Sequence, residues 1–504
     1  MPLTLDPRPR PLDHLAERGR GTAPALVLRG RTLNHEDLRT RVGQLAAWLT
    51  GRAAKGDRIA SWAAKGESSC LLPLACARAG MVHVPINPLL KRMQVAHILS
   101  DSGAVLLIGT AARLASLVEG DVPEHCAVLA EEDLWAEVEA HDPLGPSEHD
   151  PDEIAAILYT SGSTGKAKGV VLSHANMWLG AVSVAHYLDM AADDVTLGVL
   201  PLSFDYGQNQ LLSTWYAGGC VVPLDYLVAR DVVKACAKHG VTTLAAVPPL
   251  WVQLTEIDWP EEATGSMRRL TNSGGALTEP LVRALRRTFP QARIFPMYGL
   301  TEAFRSTFLD PSLVDSHPTS MGKAIPFAEI LVVGDHGDIA ADGEEGELVH
   351  AGPLVALGYW NDEARTAERF KPAPRASSYG GMAVWSGDRV RREGDGLLYF
   401  VGRRDAMIKS AGNRISPQEV EDAAVATGMV AEAVAVGVSD PRLGQAVCLA
   451  VRPAGDFDEE GLRKALAAAL PNFMQPRTIR PYAQMPRNPN GKLDRNALAA
   501  ELAA

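Results

Sequence analysis

The chain has 504 residues, of which 46% are hydrophobic and 22% charged, the composition of a globular protein and not of a disordered or fibrous one. Its 49 Lys and Arg are outnumbered by 60 Asp and Glu, and the net charge of −11 argues against a nucleic-acid ligand, since binding to a phosphate backbone needs clustered positive charge. The N-terminus lacks the apolar stretch of a signal peptide, and the most apolar early segment, residues 70–86, is interrupted by Arg78 and too short to span a bilayer. We therefore predict a cytoplasmic protein without a membrane span.

Cysteine usage argues against two further classes of protein. No two cysteines form a CxxC pair, and none has histidine neighbours at zinc-ligand spacing, so neither a redox dithiol nor a metal cluster is indicated. Free cysteine packs as a small hydrophobic residue. We therefore predict reduced, mostly buried thiols, at Cys70, Cys76, Cys126, Cys220, Cys236 and Cys448.

Helix and strand patterns alternate over residues 24–109. Two apolar runs around Gly30 predict a hairpin. The spacing of Leu38, Val42 and Leu45 predicts an amphipathic helix after it. Beyond this helix the predicted strands GDRIASWA, MVHVPI and AVLLIG alternate with the predicted helices LLPLACARAG and MQVAHILSDSG. This alternation predicts a parallel sheet built from βαβ units.

The rest of the chain divides into three further parts. Residues 141–153 are polar and contain proline, which indicates a linker or surface loop, and beyond them strands and helices alternate again as far as ARIFPMYG. Residues 334–359 hold short strands separated by DG, GEEGE and GP turns, which predicts a small β-rich unit. After Gly402 the order helix, strand, strand, helix is typical of a compact α+β unit. The predicted fold is α/β, with two βαβ-type subdomains, a small β-rich subdomain and a small α+β domain.

The segment from Tyr159 to Gly169, YTSGSTGKAKG, lies between two apolar strand patterns. Its glycines, hydroxyl groups and lysines supply what a triphosphate needs, namely close backbone approach, hydrogen-bond donors and positive charge. It is not a Walker loop, because Thr160 stands where that pattern needs glycine and Ala167 where it needs serine or threonine. By itself, the segment is also compatible with a flexible hairpin loop.

This segment resembles the phosphate loop of the adenylate-forming superfamily, which contains acyl-CoA synthetases, luciferases and the adenylation domains of peptide synthetases. The resemblance covers nearly the whole chain, because further signatures follow in the family's order. These are LPLSFDYG, NSGGAL, MYGLTE, WSGD, FVGRRDAMIKSAGNRISPQEVE and NPNGKLDR. It implies an AMP-binding domain over residues 1–402, a hinge over 403–406 and a C-terminal lid domain over 407–504.

The resemblance also implies nucleotide-binding roles. Thr301 would contact the α-phosphate and Glu302 would hold Mg²⁺, an ion that prefers hard oxygen ligands and phosphates. Tyr298 would stack on adenine, and Asp388 and Arg403 would bind the ribose hydroxyls. A core tyrosine and a structural ion pair are the plainer alternatives. The other implied contacts are Thr160, Ser161, Gly162, Ser163, Thr164, Gly165 and Lys168 at the phosphates, and Gly274, Gly275, Ala276 and Gly299 near the base.

Lys492 is the residue to which the resemblance assigns the first half-reaction. A carboxylate that attacks the α-phosphate builds negative charge on the transferred group, and a positioned ammonium lowers that barrier. Lysine after Asn-Gly is otherwise usually a solvated turn residue. Because Lys492 lies beyond the domain boundary, the C-terminal domain must close over the larger one. In the family it then rotates about a hinge, here Asp405, and presents a tunnel for the pantetheine arm, here Lys409, Gly412 and Arg414.

The sequence LPLSFDYGQNQ bears on the substrate acid. Asp205 follows Phe204 where adenylation domains for α-amino acids have the aspartate that pairs with the substrate ammonium, and a buried carboxylate is costly unless it meets a cation. We therefore predict an amine-bearing substrate, although Asp205 could instead cap a helix that starts near Gln208. Arg305 either points inward, where it could pair with an acidic or polar tail of the substrate or with Asp205, or points outward as a salt-bridged surface residue. The implied pocket comprises Phe204, Asp205, Tyr206, Asn209, Ala246, Thr271, Ser273, Met297, Arg305 and Ser306.

A narrower resemblance, to AMP-forming ligases associated with exosortase A systems and to stand-alone prolyl adenylation enzymes, is carried by NPLLKRMQVAHILSDSGA, SFDYGQNQLLS, MYGLTEAFRSTFLDP and ALGYWND. It implies an ATP- and Mg²⁺-dependent enzyme that forms an acyl- or aminoacyl-adenylate, releases pyrophosphate and transfers the acyl group to CoA or to a phosphopantetheinyl carrier protein. The alternatives are an acyl-CoA synthetase for an amine-free fatty or aromatic acid, a kinase or ATPase that releases ADP, and a catalytically silent binding protein.

Overall fold

The fold comes from a computed structural model that describes residues 5–160, 167–403, 407–410, 413–440 and 443–503, with the backbone alone at positions 409, 413, 414, 444 and 473. Local sequence sets where helices begin and end. The Asn34 side chain accepts from the Asp37 N–H and the Asp37 side chain accepts from the Asn34 N–H, a capping box that starts the first helix. Gly218, at φ 79°, ends a later helix in the left-handed conformation that glycine adopts without strain.

The described helices cover most of the positions at which the sequence predicts them. The segments Leu12–Glu17, Thr301–Ala303 and Asn472–Met474 are short 3₁₀ helices. The α-helices are α1 His35–Thr50, α2 Glu67–Ala79, α3 Arg92–Ser102, α4 Ala111–Leu114, α5 Glu131–Val138, α6 His174–Tyr187, α7 Asp205–Ala217, α8 Ala229–His239, α9 Pro248–Thr255, α10 Glu261–Thr264, α11 Glu279–Thr288, α12 Glu363–Arg369, α13 Pro417–Ala426, α14 Glu459–Ala469 and α15 Arg495–Ala503.

The strands of the N-terminal part are mostly short buried runs. They are β1 Pro24–Leu28, β2 Arg31–Asn34, β3 Arg58–Trp62, β4 Val82–Pro85, β5 Leu106–Gly109, β6 Ala127–Ala130, β7 Ile154–Thr160, β8 Lys168–Ser173, β9 Val195–Gly198, β10 Cys220–Pro223, β11 Thr243–Ala246, β12 Arg269–Asn272 and β13 Arg293–Tyr298. Later strands are β14 Thr307–Phe308, β15 Ser320–Ala324, β16 Glu329–Val333, β17 Glu345–Ala351, β18 Gly358–Tyr359, β19 Phe370–Pro372, β20 Met382–Arg392, β21 Leu398–Arg403, β22 Ile408–Ser410, β23 Asn413–Ile415, β24 Val430–Asp440, β25 Gly444–Pro453 and β26 Thr478–Pro481.

The first α/β subdomain is a seven-stranded sheet in the order β18-β8-β7-β4-β3-β5-β6. The strands from β7 to β6 in that order pair in parallel, as the alternation of helix and strand patterns predicts. Strands β7 and β8, on either side of the glycine-rich segment, pair antiparallel with Thr160 opposite Lys168. The segment therefore joins two strands of a hairpin and does not lead from a strand into a helix as a Walker loop does.

The second α/β subdomain and the β-rich unit share one fourteen-stranded sheet. From β2 the order runs β1-β10-β9-β11-β12-β13, with parallel pairing from β1 to β13. It continues as β14-β15-β21-β20-β17-β16 with antiparallel pairing. The antiparallel region therefore extends from Thr307 to Arg403, well beyond the predicted 334–359. The sequence does not predict strand β20, because its less buried positions include arginines and its buried positions include polar residues, so the hydrophobic alternation typical of a strand is weak.

The C-terminal part is built around a separate five-stranded sheet of β22 to β26. Its core contains Ile408, Val420, Leu449 and Leu462, and the predicted order of helix, strand, strand, helix is observed as α13, β24, β25 and α14. The arrangement is the predicted fold class. A domain boundary at 402 remains a prediction, and most of the predicted hinge, including Asp405, lies outside the described residues.

Two further expectations concern the cysteines and the membrane. All six cysteines are free and buried, as predicted, and burial raises the pKa of the Cys126 and Cys220 thiols to about 11. Among the described residues, no helix is both long and apolar enough to cross a membrane.

Candidate active site

Several predicted site residues meet at the carboxyl edge of the second parallel sheet. Strands β9, β11, β12 and β13 run in the same direction and end at Gly198, Ala246, Asn272 and Tyr298. Ligands of open α/β sheets bind in the crevice beyond this edge. The segments that follow β9, β12 and β13 carry Asp205, the Gly274 turn and Thr301, and the fold therefore brings three sequence motifs to one crevice.

Glu302 forms a buried cluster with Lys168 and Tyr359. Glu302 Oε1 accepts from Lys168 Nζ at 3.0 Å and from the Tyr359 hydroxyl at 2.6 Å, and Lys168 Nζ also lies 4.1 Å from the centre of the Tyr359 ring. Burial opposes ionisation of Glu302, but the Lys168 ammonium and the Tyr359 hydroxyl outweigh it and lower its pKa. The cluster thus holds an anionic carboxylate at the crevice, beside Lys168, the first residue of β8.

Lys492 reaches the same crevice from the C-terminal part. Its Nζ lies 4.7 Å from the centre of the Phe204 ring, and a Cβ built on Gly274 would lie only 2.5 Å from Lys492 Cε. Gly274 also has φ 81°, so this position needs glycine both for its backbone and for the approach of the lysine. Loss of hydration lowers the pKa of Lys492, and the Asp205 carboxylate opposes that shift.

Contacts between the N-terminal and C-terminal parts hold Lys492 in the crevice. Asn87 Nδ2 donates to the Pro489 carbonyl and to Asn490 Oδ1, each at 3.0 Å, and so binds the turn that precedes Lys492. Farther away, Arg452 Nη2 lies 2.8 Å from a carboxylate oxygen of Glu256. These contacts therefore accompany the placement of Lys492 beside Phe204 and Gly274.

Asp388 and Arg403, the predicted ribose-binding pair, face each other on β20 and β21. Their strands pair at these positions, and Arg403 Nε lies 3.4 Å from Asp388 Oδ1. The Tyr298 hydroxyl donates to Asp388 Oδ2. Burial and the Asp388 charge raise the pKa of Tyr298 and keep it protonated as a donor. Asp388 and Arg403 lie together as the predicted pair requires, while the bond from Tyr298 to Asp388 was not predicted, and the roles of all three toward ribose and adenine remain predictions.

Asp205 is the first residue of α7 and does not cap it. Among the described residues no side chain forms a capping hydrogen bond to this helix, and its N-cap residue is Phe204, so the alternative that Asp205 caps a helix starting near Gln208 is wrong. Instead Asp205 Oδ1 accepts from Thr301 Oγ1 at 3.1 Å. Burial raises the pKa of Asp205, and the positive charges of Arg305 and Lys492 oppose that shift. Asp205 is therefore a buried carboxylate bonded to Thr301, and its contact with a substrate amine remains a prediction.

Arg305 points inward, which settles one of the alternatives left open by the sequence. It is 1% exposed, donates from Nη1 to Ser273 Oγ at 2.9 Å and lies 4.6 Å from the centre of the Tyr206 ring. Gly299 lies beneath it, and a Cβ there would be 3.0 Å from Arg305 Cα. Among the predicted pocket residues, Tyr206, Asn209, Thr271, Met297 and Arg305 line a common small cavity.

Other predicted residues lie elsewhere or fall outside the description. Ser306 shares a hydrogen bond with His350 Nδ1, and Ala246 does not line the cavity, where the neighbouring Ala245 does. The exposed residues Gly275 and Ala276 continue the Gly274 turn. Outside the described residues lie Ser161, Gly162, Ser163, Thr164, Gly165, Asp405 and Gly412, together with the side chains of Lys409 and Arg414.

Sequence reasoning missed three residues of the site. Tyr359 lies in the quoted segment ALGYWND, but nothing local links it to Lys168 and Glu302. Asn87 contacts the Lys492 turn from a position about 400 residues earlier, a contact with no signal in sequence. Phe304 has a positive φ of 56°, a conformation that is strained for a bulky residue and that no sequence pattern predicts.

Comparison with known proteins identifies the family. A family model described as AMP-binding enzyme matches residues 12–360, and one described as AMP-binding enzyme C-terminal domain matches residues 419–492. The chain belongs to the AMP-binding enzyme family. This result confirms the adenylate-forming resemblance predicted from the motifs.

This member of the AMP-binding enzyme family has relatives of very different lengths. It is 30% identical over 507 residues to an L-proline–(L-prolyl-carrier protein) ligase of Pseudomonas fluorescens, with 98% of each chain covered. It is 30% identical over 481 residues to gramicidin S synthase 2 of Aneurinibacillus migulanus, where the match covers 94% of this chain but spans only 10% of that protein. The solved o-succinylbenzoate coenzyme A synthetase of Bacillus subtilis, in complex with ATP and magnesium ion, superposes with a TM-score of 0.82 at 26% identity, covering 97% of this chain and 99% of that one.

The crevice residues fit ATP and Mg²⁺, the predicted cofactors, which that solved relative binds. The buried Thr160 Oγ1 and Asn272 Oδ1 have no hydrogen-bond partner among the described residues and lie at the ends of β7 and β12, where a nucleotide would meet them. Glu302 provides an anionic oxygen, and Mg²⁺ at nucleotide sites is held by one or two carboxylates together with phosphates. When bound there, Mg²⁺ would neutralise phosphate charge.

Proposed function

We propose that this protein uses ATP to convert a small amine-bearing carboxylic acid to its adenylate, releases pyrophosphate, and transfers the acyl group to a pantetheine thiol. The observation that carries the proposal is the position of Lys492, which lies between Phe204 and Gly274 at the crevice formed by the N-terminal part. Because Lys492 contacts these residues of the N-terminal part, it is not the solvated turn residue that a lysine after Asn-Gly usually is. Membership of the AMP-binding enzyme family supports the same reaction class.

The proposed first half-reaction forms the acyl-adenylate. A carboxylate oxygen of the acid attacks the α-phosphorus of ATP, the bond to the pyrophosphate oxygen breaks, and pyrophosphate leaves. Negative charge develops on the α-phosphoryl oxygens during the attack, and the Lys492 ammonium stabilises it electrostatically. Lys168 adds positive charge on the phosphate side, where Glu302 and Tyr359 fix its position.

The proposed second half-reaction forms a thioester. The thiolate sulfur attacks the acyl carbon and AMP leaves with the electron pair of the broken anhydride bond. We propose that the C-terminal part first turns about Asp405, which removes Lys492 from the crevice and brings the loop of Lys409, Gly412 and Arg414 to the pantetheine arm. The prolyl-carrier protein ligase supports a carrier protein as acceptor, and the coenzyme A synthetase supports CoA. We also propose a cytoplasmic location, which the six free thiols support.

The amine on the substrate is inferred from Asp205. Its carboxylate is buried and accepts one hydrogen bond from Thr301, and among the described residues no lysine, arginine or histidine nitrogen lies within 4.0 Å of it. A buried carboxylate without a close cation is unfavourable. A substrate ammonium would supply that cation, and the name of the prolyl-carrier protein ligase supports an amino acid as substrate.

Substitution of Asp205 by asparagine tests the amine. We expect the wild-type protein to prefer amino acids over their deaminated analogues by roughly 100-fold or more in kcat/KM for ATP–pyrophosphate exchange, because a site built around a buried polar group rejects a ligand that leaves it unpaired. We expect this preference to collapse in Asp205→Asn. Preference for the deaminated acids by the wild-type protein would favour the amine-free acyl-CoA synthetase, and formation of ADP in place of AMP would exclude the ligase altogether.

The pH dependence gives a second readout of Asp205. Because its pKa is raised, the carboxylate becomes neutral at a higher pH than an ordinary aspartate, whose pKa is about 3.9. Ammonium binding should therefore be lost as pH falls through the raised pKa. The ratio of kcat/KM for an amino acid to that for its deaminated analogue cancels groups common to both reactions. We expect this ratio to fall on the acid side for the wild-type protein and to be flat for Asp205→Asn; an acid limb that persists in the variant would contradict the assignment.

A further inference from the structure

The guanidinium of Arg305 is incompletely paired in the interior of the protein. Ser273 Oγ accepts from Nη1, while the buried Nε has no acceptor among the described residues. No carboxylate oxygen in the described part of the chain lies within 4.0 Å of the guanidinium, which excludes the sequence-based alternative that Arg305 forms an ion pair with Asp205. Since arginine cannot shed its charge in a protein, a buried guanidinium needs an anionic or strongly accepting partner.

The chain conformation that places Arg305 inside is itself strained. Phe304, directly before it, has φ 56° and ψ −59°, and its buried ring packs where Gly180 leaves room, since a Cβ on Gly180 would lie 2.2 Å from ring atoms. A conformation of this kind costs of order 1–3 kcal/mol and persists only where the surroundings enforce it. This conformation directly precedes the buried Arg305, and Gly299 leaves space for the Arg305 backbone.

The cavity beside Arg305 is small, and its mostly apolar wall contains a few polar side chains. Its volume is about 20 Å³, and Asn209, Met297 and Arg305 are among the residues that line it. Asn209 Oδ1 and Gln210 Oε1 are buried in its wall without hydrogen-bond partners among the described residues. The cavity adjoins the proposed reaction centre, because Tyr206 in its wall directly follows Asp205 in the chain.

We infer that Arg305 determines specificity by binding a second anionic group, a carboxylate, on the acid that is activated. The substrate class is then a short acid with one carboxylate at Lys492 and another at Arg305. Ser273 and the Tyr206 ring hold the guanidinium in place, and Nε, which has no acceptor among the described residues, would donate to the second carboxylate. This inference rests on the proposed function, because it assigns the substrate of the same reaction.

A matched panel of acids separates this inference from the amine proposal. Glutamate carries both the amine and the second carboxylate, norvaline only the amine, glutarate only the second carboxylate and pentanoate neither. ATP–pyrophosphate exchange is measured for each acid with the wild-type protein, Arg305→Met and Arg305→Lys, and shorter analogues (aspartate, 2-aminobutyrate, succinate and butyrate) repeat the design. The comparison of glutamate with norvaline, and of glutarate with pentanoate, tests Arg305. The comparison of glutamate with glutarate, and of norvaline with pentanoate, tests Asp205.

We expect the wild-type protein to favour the second carboxylate by at least about 100-fold in kcat/KM in one of the two length series, mainly through KM, because a charge-assisted pair would be lost with the neutral analogue. In Arg305→Met the preference should fall to within a few-fold, and Arg305→Lys should retain part of it because the charge remains. Calorimetric titration of glutarate and pentanoate into the protein with a non-hydrolysable ATP analogue should show the same loss of discrimination in the binding constant.

Arg283→Met, at an exposed arginine that pairs with Glu279 on α11, is the matched control and should leave every ratio unchanged. Thermal unfolding shows whether Arg305→Met is folded; if it is not, the wild-type panel and Arg305→Lys decide the question alone. Three outcomes would each overturn the inference. The acids without a second carboxylate could react at least as fast as their partners that carry one, none of the acids with a second carboxylate could react, or a folded Arg305→Met could keep the wild-type preference. A preference for the second carboxylate without any preference for the amine would support Arg305 and refute the amine proposal.

Discussion

Replacing Lys492 with alanine is expected to reduce acid-dependent ATP–pyrophosphate exchange by at least about 100-fold, while thioester formation from preformed acyl-adenylate stays nearly unchanged. The expected asymmetry follows from geometry. Lys492 lies beside Phe204 and Gly274, where the α-phosphate would be attacked. In the second half-reaction the C-terminal part is proposed to turn and to remove this lysine from the crevice, so its loss should matter little there.

The pH profile of exchange gives an independent check on Lys492. Its pKa is lowered, chiefly by loss of hydration, so its positive charge is lost at a lower pH than that of an ordinary lysine. Exchange should therefore decline as pH rises through that lowered pKa, and this alkaline limb should be absent from Lys492→Ala. Both half-reactions are measured separately, the first by exchange and the second by thioester yield from synthetic adenylate.

Lys464→Ala is the matched control, because Lys464 is an exposed lysine of the same C-terminal part and pairs with Glu460 one helical turn away. It should leave both half-reactions unchanged. An equal loss of both half-reactions in Lys492→Ala would contradict the assigned role and would indicate a general defect in the C-terminal part.

Replacing Glu302 with glutamine is expected to lower kcat/KM for MgATP by about 100- to 1000-fold. The substitution keeps the shape of the side chain but removes its negative charge. The charged carboxylate accepts hydrogen bonds from Lys168 and Tyr359 and would hold Mg²⁺. We further expect the Mg²⁺ concentration at half-maximal exchange to rise by about 10- to 100-fold. Exchange rates measured across a Mg²⁺ titration at saturating ATP test both expectations.

Glu421→Gln separates chemistry from stability. Glu421 is also buried and forms an ion pair, with Arg495, but it lies within the C-terminal part away from the crevice. This control should lower the unfolding temperature by an amount similar to Glu302→Gln, since both changes leave one cation without its carboxylate. If Glu302→Gln kept the wild-type dependence on Mg²⁺ and lost only stability, Glu302 would be a structural residue.

The substrate pocket is where sequence and structure differ most. The motif around Phe204 placed Asp205 at the pocket, and the structure excludes the alternative of a helix cap, because α7 begins at Asp205 and its carboxylate bonds Thr301. For Arg305 the sequence left inward and outward orientations open. The orientation depends on the φ of Phe304, on Gly180 and on Gly299, which no pattern around Arg305 reveals.

The sequence by itself determined the fold class, the order of its α/β and antiparallel regions, and the family, because these depend on hydrophobic periodicity and on motifs whose members are close in the chain. Only the tertiary structure decided that Tyr359 completes the cluster of Lys168 and Glu302, that Asn87 binds the turn before Lys492, and that Arg305 is buried. The physical reason is that such contacts join residues far apart in the chain. Their geometry is set by how separate elements pack, and packing leaves no local trace in the sequence.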